Sequence, residues 1–241
     1  MVQQTKECSG HAQASCDSVH PVSQAEHGAR FRGRLRKRGG AAYWKCKRIC
    51  DFIISFAMLI ILSPVFLLLS ALIVLTSEGP AIYRHARIGR DGRVINVLKF
   101  RTMVKDADRY IAFFTPEQKR EWEDKFKLDD DPRITPVGRF LRKSSLDELP
   151  QLVNILRGEM SLVGPRPVVA AELEKYGANK DRFLSVTPGL TGYWQAYARS
   201  DCDYNRRMRM ELEYVDHANF LWDIQILLMT CRTVLQGKGA Q

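Results

Sequence analysis

Apolar and polar positions along the chain fall into patterns that predict distinct elements. Residues 53–75 form an almost unbroken apolar run. As a straight helix it would measure about 34 Å, enough to span a hydrocarbon core of ~30 Å. Ser63 and Pro64 interrupt the run near its middle. Proline removes a rung of the helix ladder, and a neighbouring serine hydroxyl can take up the carbonyl so freed. Cations flank the run on both sides: Lys45, Lys47 and Arg48 before it, and Arg84, Arg87, Arg90 and Arg93 after it. Basic flanks favour the cytoplasmic side, so a re-entrant helix–break–helix that enters and leaves one leaflet satisfies both observations. A spanning helix kinked at the proline is the alternative.

Beyond this run the periods change. Asp91 and Gly92 separate two apolar stretches and predict a β-hairpin over 88–101. Residues 104–128 read as a polar amphipathic helix that packs, or rests at an interface, through Phe113, Phe114, Trp122 and Phe126. Leu146, Leu149, Leu152, Val153 and Leu156 recur at helical spacing. A basic helix carries Arg206, Arg207 and Arg209. The final apolar stretch, 220–235, is interrupted by Asp223, Gln225 and Arg232. It is too short and too polar to span, and reads as an amphipathic helix at an interface or in the core.

A length of 241 residues supports one main domain with a sizeable core. The net charge of +10 points to anionic partners: nucleic acid, an anionic membrane surface or phosphorylated substrates. Residues 1–42 hold almost no large apolar side chains and close on a basic run at 30–38, which predicts a disordered basic tail. Its position just before a hydrophobic segment favours anionic lipid headgroups over nucleic acid, at roughly 1 kcal/mol per basic residue. The six cysteines form no C-x-x-C pair and no zinc-like spacing, and Cys46 and Cys50 lie one helical turn apart. Reduced thiols in a cytosolic setting fit better than a disulfide framework.

The candidate chemistry centres on residues 142–167, RKSSLDELPQLVNILRGEMSLVGPRP. Asp147 and Glu148 stand as adjacent carboxylates at the predicted start of a helix, where its dipole favours ionised acids. Arg139, Arg142 and Lys143 lie just upstream. A fixed carboxylate among cations suits phosphoryl chemistry, as metal ligand or as nucleophile. Ser145 and Glu148 also match the S-x-x-E capping box, in which the glutamate would only bond backbone. Pro150 opposes that version, because with Ser145 as cap it would fall inside the helix. A start one or two residues later puts the proline in the first turn.

On the second hairpin strand Lys99 and Arg101 are two residues apart and share a face, where they could clamp a diphosphate or merely form a solvated edge. Asp129, Asp130 and Asp131 precede Pro132 and read as an exposed turn rather than a metal cluster. The turn-rich segment 187–195 could present Gln195 or backbone amides to a polar ligand. No G-x-G-x-x-G, phosphate-binding P-loop or internal repeat is present.

These segments occur in the order of one known family. Residues 47–52 (KRICDF), Leu62-Ser63-Pro64, Arg87-Ile88-Gly89, 98–103 (LKFRTM), 131–135 (DPRIT), 141–151, 158–167 (GEMSLVGPRP) and 188–192 (PGLTG) closely resemble the bacterial sugar transferases, the monotopic polyprenyl-phosphate phosphoglycosyl transferases. The likeness runs from about residue 44 to about residue 235 and is strongest to members that begin exopolysaccharide units. These transfer hexose-1-phosphate, often galactose-1-phosphate, from a UDP-sugar to undecaprenyl phosphate.

The resemblance implies a mainly α fold with a short β-hairpin, monotopic in the membrane, with an N-terminal re-entrant helix and interfacial amphipathic helices. It divides the chain into a tail (1–42), a membrane hairpin (43–80) and a catalytic domain (81–241). Asp147 would attack the β-phosphate, releasing UMP and leaving a phosphosugar on the enzyme, and Glu148 would help hold Mg²⁺. Lys99, Arg101 and Arg142 would hold phosphate oxygens, Pro165, Arg166 and Pro167 would shape the nucleotide side, and Ser63 and Pro64 would form the membrane break. The implied partners are a UDP-sugar, undecaprenyl phosphate and an anionic lipid surface, with no nucleic acid; oligomeric state, a homo-oligomer included, stays open. The implied location is the cytoplasmic face of the bacterial inner membrane. Ala198 stands where the family commonly has glycine. A membrane-anchored scaffold or regulator without catalysis is the alternative reading.

Overall fold

The computed structural model describes residues 40–125, 128, 130–198 and 203–236. The basic run 30–38, Phe126, Asp129, Arg199, Cys8, Cys16, Cys202 and the side chain of Trp122 lie outside the described residues. The chain forms helices α1 (Ala41–Ile61) and α2 (Ser63–Thr76), strands β1 (Ile82–Ile88) and β2 (Val94–Phe100), and helices α3 (Pro116–Lys125), α4 (Pro136–Ser144) and α5 (Gln151–Arg157). Strand β3 (Ser161–Val163), helices α6 (Ala170–Glu174) and α7 (Lys180–Leu184), and strand β4 (Gly189–Thr191) follow. Helices α8 (Tyr193–Tyr197), α9 (Tyr204–His217) and α10 (Phe220–Leu235) close the chain. The fold is mainly helical with a short antiparallel hairpin, as expected.

The predicted break is present. α1 and α2 meet at 63°, with Pro64 at the start of α2. Ser63 Oγ donates to the Ile60 carbonyl at 2.8 Å, one of the groups that the break frees. Among the described residues no single helix is long and apolar enough to cross a membrane; only this bent pair is, when both arms are counted.

Helix α1 is amphipathic in the inverted sense. Its buried residues are polar: Lys47, Asp51 and Ser55, spaced one turn apart. Its exposed side chains include Ile49, Phe52, Ile53 and Phe56. Lys47 pairs with Asp223 of α10 at 2.8 Å, and the same carboxylate accepts from Tyr43 at 2.8 Å and Tyr214 at 2.7 Å. Asp51 accepts from Ser161 Oγ at 2.7 Å and from the Leu162 amide at 3.1 Å. Arg48 donates to the Ile155 and Leu156 carbonyls at 2.5 and 2.7 Å, satisfying carbonyls at the end of α5. Lys47 and Arg48 are thus committed to protein partners rather than serving as a basic flank, a correction to the reading from charge alone.

The hairpin forms where Asp91 and Gly92 predict it, both with positive φ (57° and 75°). Its register sets Tyr83 opposite Lys99, His85 opposite Val97 and Arg87 opposite Ile95. Asn154 of α5 closes the outer edge of β2, accepting from the Leu98 amide at 2.9 Å and donating to the Asn96 carbonyl at 2.7 Å. Ile95 and Val97 pack with Leu152, Ile155 and Met160 beneath the site. Below β2's end, Leu69 and Ile73 of α2 pack with Phe100 and Leu141.

Three expectations are corrected. A second, parallel pair joins β3 to β4, with Ser161 opposite Gly189 and Val163 opposite Thr191. Three-residue strands are too short to show alternation in sequence, and the approach is so close that a Cβ on Gly189 would lie 2.1 Å from the Gly164 nitrogen. The single helix expected over 104–128 is two pieces, a 3₁₀ segment (Ala107–Phe113) and α3. Thr115 and Gln118 form a capping box at that restart, with Gln118 N bonded to Thr115 Oγ1 at 3.2 Å and Thr115 N to Gln118 Oε1 at 3.0 Å. Phe114 is buried while Phe113 is exposed. Asp131, read as part of an exposed turn, is buried and grips Arg133 through both carboxylate oxygens, at 2.8 Å to Nε and 2.6 Å to Nη2. Cys46, Cys50 and Cys231 are free and exposed.

Candidate active site

Helix α4 starts at Thr135, whose hydroxyl accepts from the Gly138 amide at 2.9 Å, and it ends on Ser145 in the left-handed region (φ 58°). That residue turns the chain, so Asp147 and Glu148 fall in a separate 3₁₀ turn, Leu146–Glu148. Leu146 and Leu149 anchor the turn against the α2 cluster. Pro150 becomes the residue before α5, where its missing N–H is harmless. The acids therefore precede the helix rather than open it, a correction to the expected first-turn placement.

The capping box is not formed. The Ser145 side chain makes no cap bond, and Glu148 instead accepts from Lys99 Nζ at 2.6 Å. The same ammonium stands 3.9 Å from Asp147 Oδ2. Asp147 is buried, and burial pushes its carboxyl up to about 6. Lys99 and Arg142 pull it down and Glu148 pushes it up. Its ionisation is set by desolvation and close charges more than by a helix dipole, and at neutral pH it stays mostly ionised.

Glu148 and Lys99 line a shallow, solvent-open cleft, together with Arg166, Pro167 and Gln195. Five of the predicted site residues thus share one cavity. His85 and Arg87 of β1, and Gln151, complete its polar wall. These were missed as site residues, although His85 and Arg87 lie across the hairpin from the row of Val97 and Lys99, and alternation from Lys99 could have pointed to them. Gln195 donates to the Leu190 carbonyl at 3.1 Å. Pro165 is buried behind the wall, its carbonyl accepting from the Gly189 amide at 2.9 Å.

Arg101 and Arg142 stand apart from the cleft lining. Arg142 Nε donates to Thr102 Oγ1 at 2.9 Å, and its charge acts on Asp147. Arg101 donates to the Ser77 carbonyl and hydroxyl at 2.8 and 2.9 Å, at the end of α2. Its Nε and Nη1 are buried and have no hydrogen-bond partner among the described residues. Gly79 (φ +106°) makes room for it, since a Cβ there would lie 2.3 Å from Nη1. Lys99 thus lines the cleft beside the acids, while Arg101 is held at the end of α2. Ala198 has a negative φ of −125°, a conformation that alanine adopts without strain.

Among the described residues no group of three or more His, Cys, Asp or Glu side chains is placed to hold a metal. The Asp147 and Glu148 carboxylates both approach one cation, the Lys99 ammonium, at 3.9 and 2.6 Å, and Mg²⁺ is commonly held by one or two carboxylates plus substrate phosphates.

Residues 42–237 match the family model described as bacterial sugar transferase. An uncharacterized sugar transferase of Haemophilus influenzae is 48% identical over 197 residues, covering 80% of this chain and 42% of that protein. The exopolysaccharide production protein ExoY of Sinorhizobium fredii is 44% identical, covering 86% of this chain and 92% of its own length. The undecaprenyl-phosphate galactose phosphotransferase of Salmonella typhimurium is 44% identical, covering 88% of this chain and 44% of that protein. The chain thus spans less than half of the Haemophilus and Salmonella relatives and nearly all of ExoY.

Proposed function

The chain belongs to the bacterial sugar transferase family, and from that premise we propose that it transfers hexose-1-phosphate from a UDP-sugar to undecaprenyl phosphate, releasing UMP. Galactose is the sugar favoured by the name of the Salmonella relative. The product would begin an exopolysaccharide repeat unit, as the name of ExoY suggests. The observation that carries this reading is the buried Asp147 beside the Lys99–Glu148 pair at the wall of a cationic cleft.

In the first half-reaction the Asp147 carboxylate forms a bond to the β-phosphorus while the bond to the bridging oxygen breaks, and UMP leaves with that electron pair. In the second, an undecaprenyl phosphate oxygen displaces Asp147 from the same phosphorus. Lys99 lies between the two acids and is placed to neutralise phosphate oxygens as they approach. Glu148, with Asp147 beside it, would hold Mg²⁺, whose charge offsets that of the diphosphate.

The inverted helix α1 supports a membrane setting. Its apolar side faces outward, joined by Leu67, Leu68 and Leu75 of α2, and an outward face of this size suits lipid rather than water. A re-entrant pair would bring the acids to the cytoplasmic face, where the lipid phosphate lies. Anionic lipid attracted by the basic tail would add to this attachment.

UMP release measured across a panel of UDP-sugars with undecaprenyl phosphate tests the activity, and loss of release in Asp147→Asn separates catalysis from a scaffold role. Intact mass after incubation with UDP-sugar alone tests the covalent step. A phosphohexose adduct absent under every trapping condition would leave a direct transfer with Asp147 as metal ligand.

A further inference from the structure

One amide at the cleft is buried and unbonded. Gln151 opens α5 directly after the buried Pro150, and only 3% of it is exposed. It lines the cleft, and its side chain makes no hydrogen bond among the described residues. Nor is it one of the sealed polar atoms without a partner, so the little that solvent reaches is the amide, opening on the cleft. A desolvated amide without a partner is unfavourable, and such a group in a folded protein points to a ligand. Its position is fixed by the rest of α5. Asn154, three residues on and on the same face, bonds the Leu98 amide and the Asn96 carbonyl of β2. Leu152 and Ile155 pack with Ile95 and Val97. The amide is therefore in place before any ligand arrives.

The chemistry of the group selects its partner. Cations such as Lys99 suit phosphate, whereas an amide presents two donors and an acceptor at one point. Its oxygen would repel a phosphate oxygen, so a partner that both donates and accepts fits better. A sugar hydroxyl and the edge of uracil are both of this kind. Chain position decides between them. Gln151 follows Asp147 and Glu148 by about one turn, and Glu148 shares its cleft. If Asp147 bonds the β-phosphorus, the group joined to that phosphorus is the hexose, while ribose and uracil lie beyond the α-phosphate. Val97 and Leu190 of the same lining offer apolar surface to the C–H face of a sugar ring.

We propose that Gln151 contacts the transferred sugar, its amide hydrogen-bonding a ring hydroxyl of the hexose. This rests on the donor being a UDP-hexose and on Asp147 taking its β-phosphate. The hexose stays on that phosphorus through both half-reactions, so one contact orients the reacting group in each of them. A sugar without the hydroxyl would leave the amide buried and unbonded again, and is discriminated against for that reason.

Calorimetric binding to the full chain in nanodiscs, with Asp147→Asn present so that no phosphosugar forms, tests this without turnover. The probes are UDP, a panel of UDP-galactose, UDP-glucose and UDP-N-acetylglucosamine, and singly deoxygenated analogues of whichever sugar binds best. Adding Gln151→Met is expected to weaken that UDP-sugar by about 10-fold and to leave UDP, which carries the uracil and the ribose, unchanged. One deoxygenated analogue should bind about 10-fold more weakly than its parent when Gln151 is present, and within about 2-fold of it in Gln151→Met. Gln151→Asn, which keeps an amide but withdraws it from the cleft, should behave as Gln151→Met does and serves if that variant does not fold. An equal loss of UDP, which would place the amide on the nucleotide, would overturn the assignment. So would deoxygenation penalties that are the same with and without Gln151, or no gain of any UDP-sugar over UDP. Failure of sugar transfer by the wild type with these binding results intact would instead count against the proposed reaction alone.

Discussion

Lys99 and Glu148 meet at 2.6 Å across 49 residues of sequence, and this contact fixes the acid turn against the second strand of the hairpin. It also places one ammonium between two carboxylates, 3.9 Å from Asp147. The nucleophile candidate is thus set by burial, by a charge from β2 and by Glu148 of its own turn, with Leu146 packing that turn on the α2 cluster.

The raised Asp147 carboxyl predicts an acid limb in the rate. With its value near 6, the first half-reaction should rise with pH through about 6 and level off above. Lys99→Met removes a charge that lowers Asp147, so the limb should move to higher pH. The pH profile of kcat/KM for the UDP-sugar is the measurement, and an unmoved limb in Lys99→Met would count against this electrostatic account.

The same group costs stability. A carboxyl raised from 3.8 to about 6 keeps its proton in the folded state while the unfolded chain has already lost it, so stability falls as pH climbs between these values. The penalty above pH 6 is on the order of 3 kcal/mol. Asp147→Asn should unfold at a higher temperature than the wild type at pH 7.5, with the difference vanishing near pH 4.

Asp131 and Arg133 form a buried pair with the opposite sign. Burial alone would raise the Asp131 carboxyl, but the hydrogen bonds and charge of Arg133 hold it below its ordinary value. Its contribution is therefore present above the unfolded carboxylate range and lost as pH falls through the folded value. Asp131→Asn leaves Arg133 buried without its counter-ion and should destabilise the fold by roughly 3–5 kcal/mol in chemical unfolding at neutral pH.

Asn154 stands in for a missing strand. Asn154→Leu would leave the Leu98 amide and the Asn96 carbonyl unbonded, at roughly 1–3 kcal/mol each. The Leu98 amide should then lose protection in hydrogen exchange, while the α9 and α10 amides keep theirs.

Pro64 sets the membrane topology of the reading. Pro64→Leu with Ser63→Ala removes both the missing rung and the hydroxyl bonded to Ile60, so α1 and α2 should fuse toward a straight helix. Cysteine labelling of the two flanks from the periplasmic side should detect neither flank in the wild type and one flank in the double variant. Label at one flank of the wild type would mean that the pair spans.

The sequence by itself determined what depends on neighbours a few residues apart. The break at Ser63 and Pro64, the turn at Asp91 and Gly92, and the last helix over 220–235 are local consequences of a missing N–H, of residues that tolerate positive φ, and of helical periodicity. The acid pair and its cations were legible as a motif. Tertiary structure decided which charges meet. Lys47 found Asp223 at a separation of 176 residues, and Arg101 turned to Ser77 while Arg87 entered the cleft. It also decided that α1 would bury its polar stripe and that Asp131 would be paired rather than solvated. No spacing in the chain encodes such pairings, because they follow from which faces the packed elements bring together and from the cost of leaving a buried charge alone.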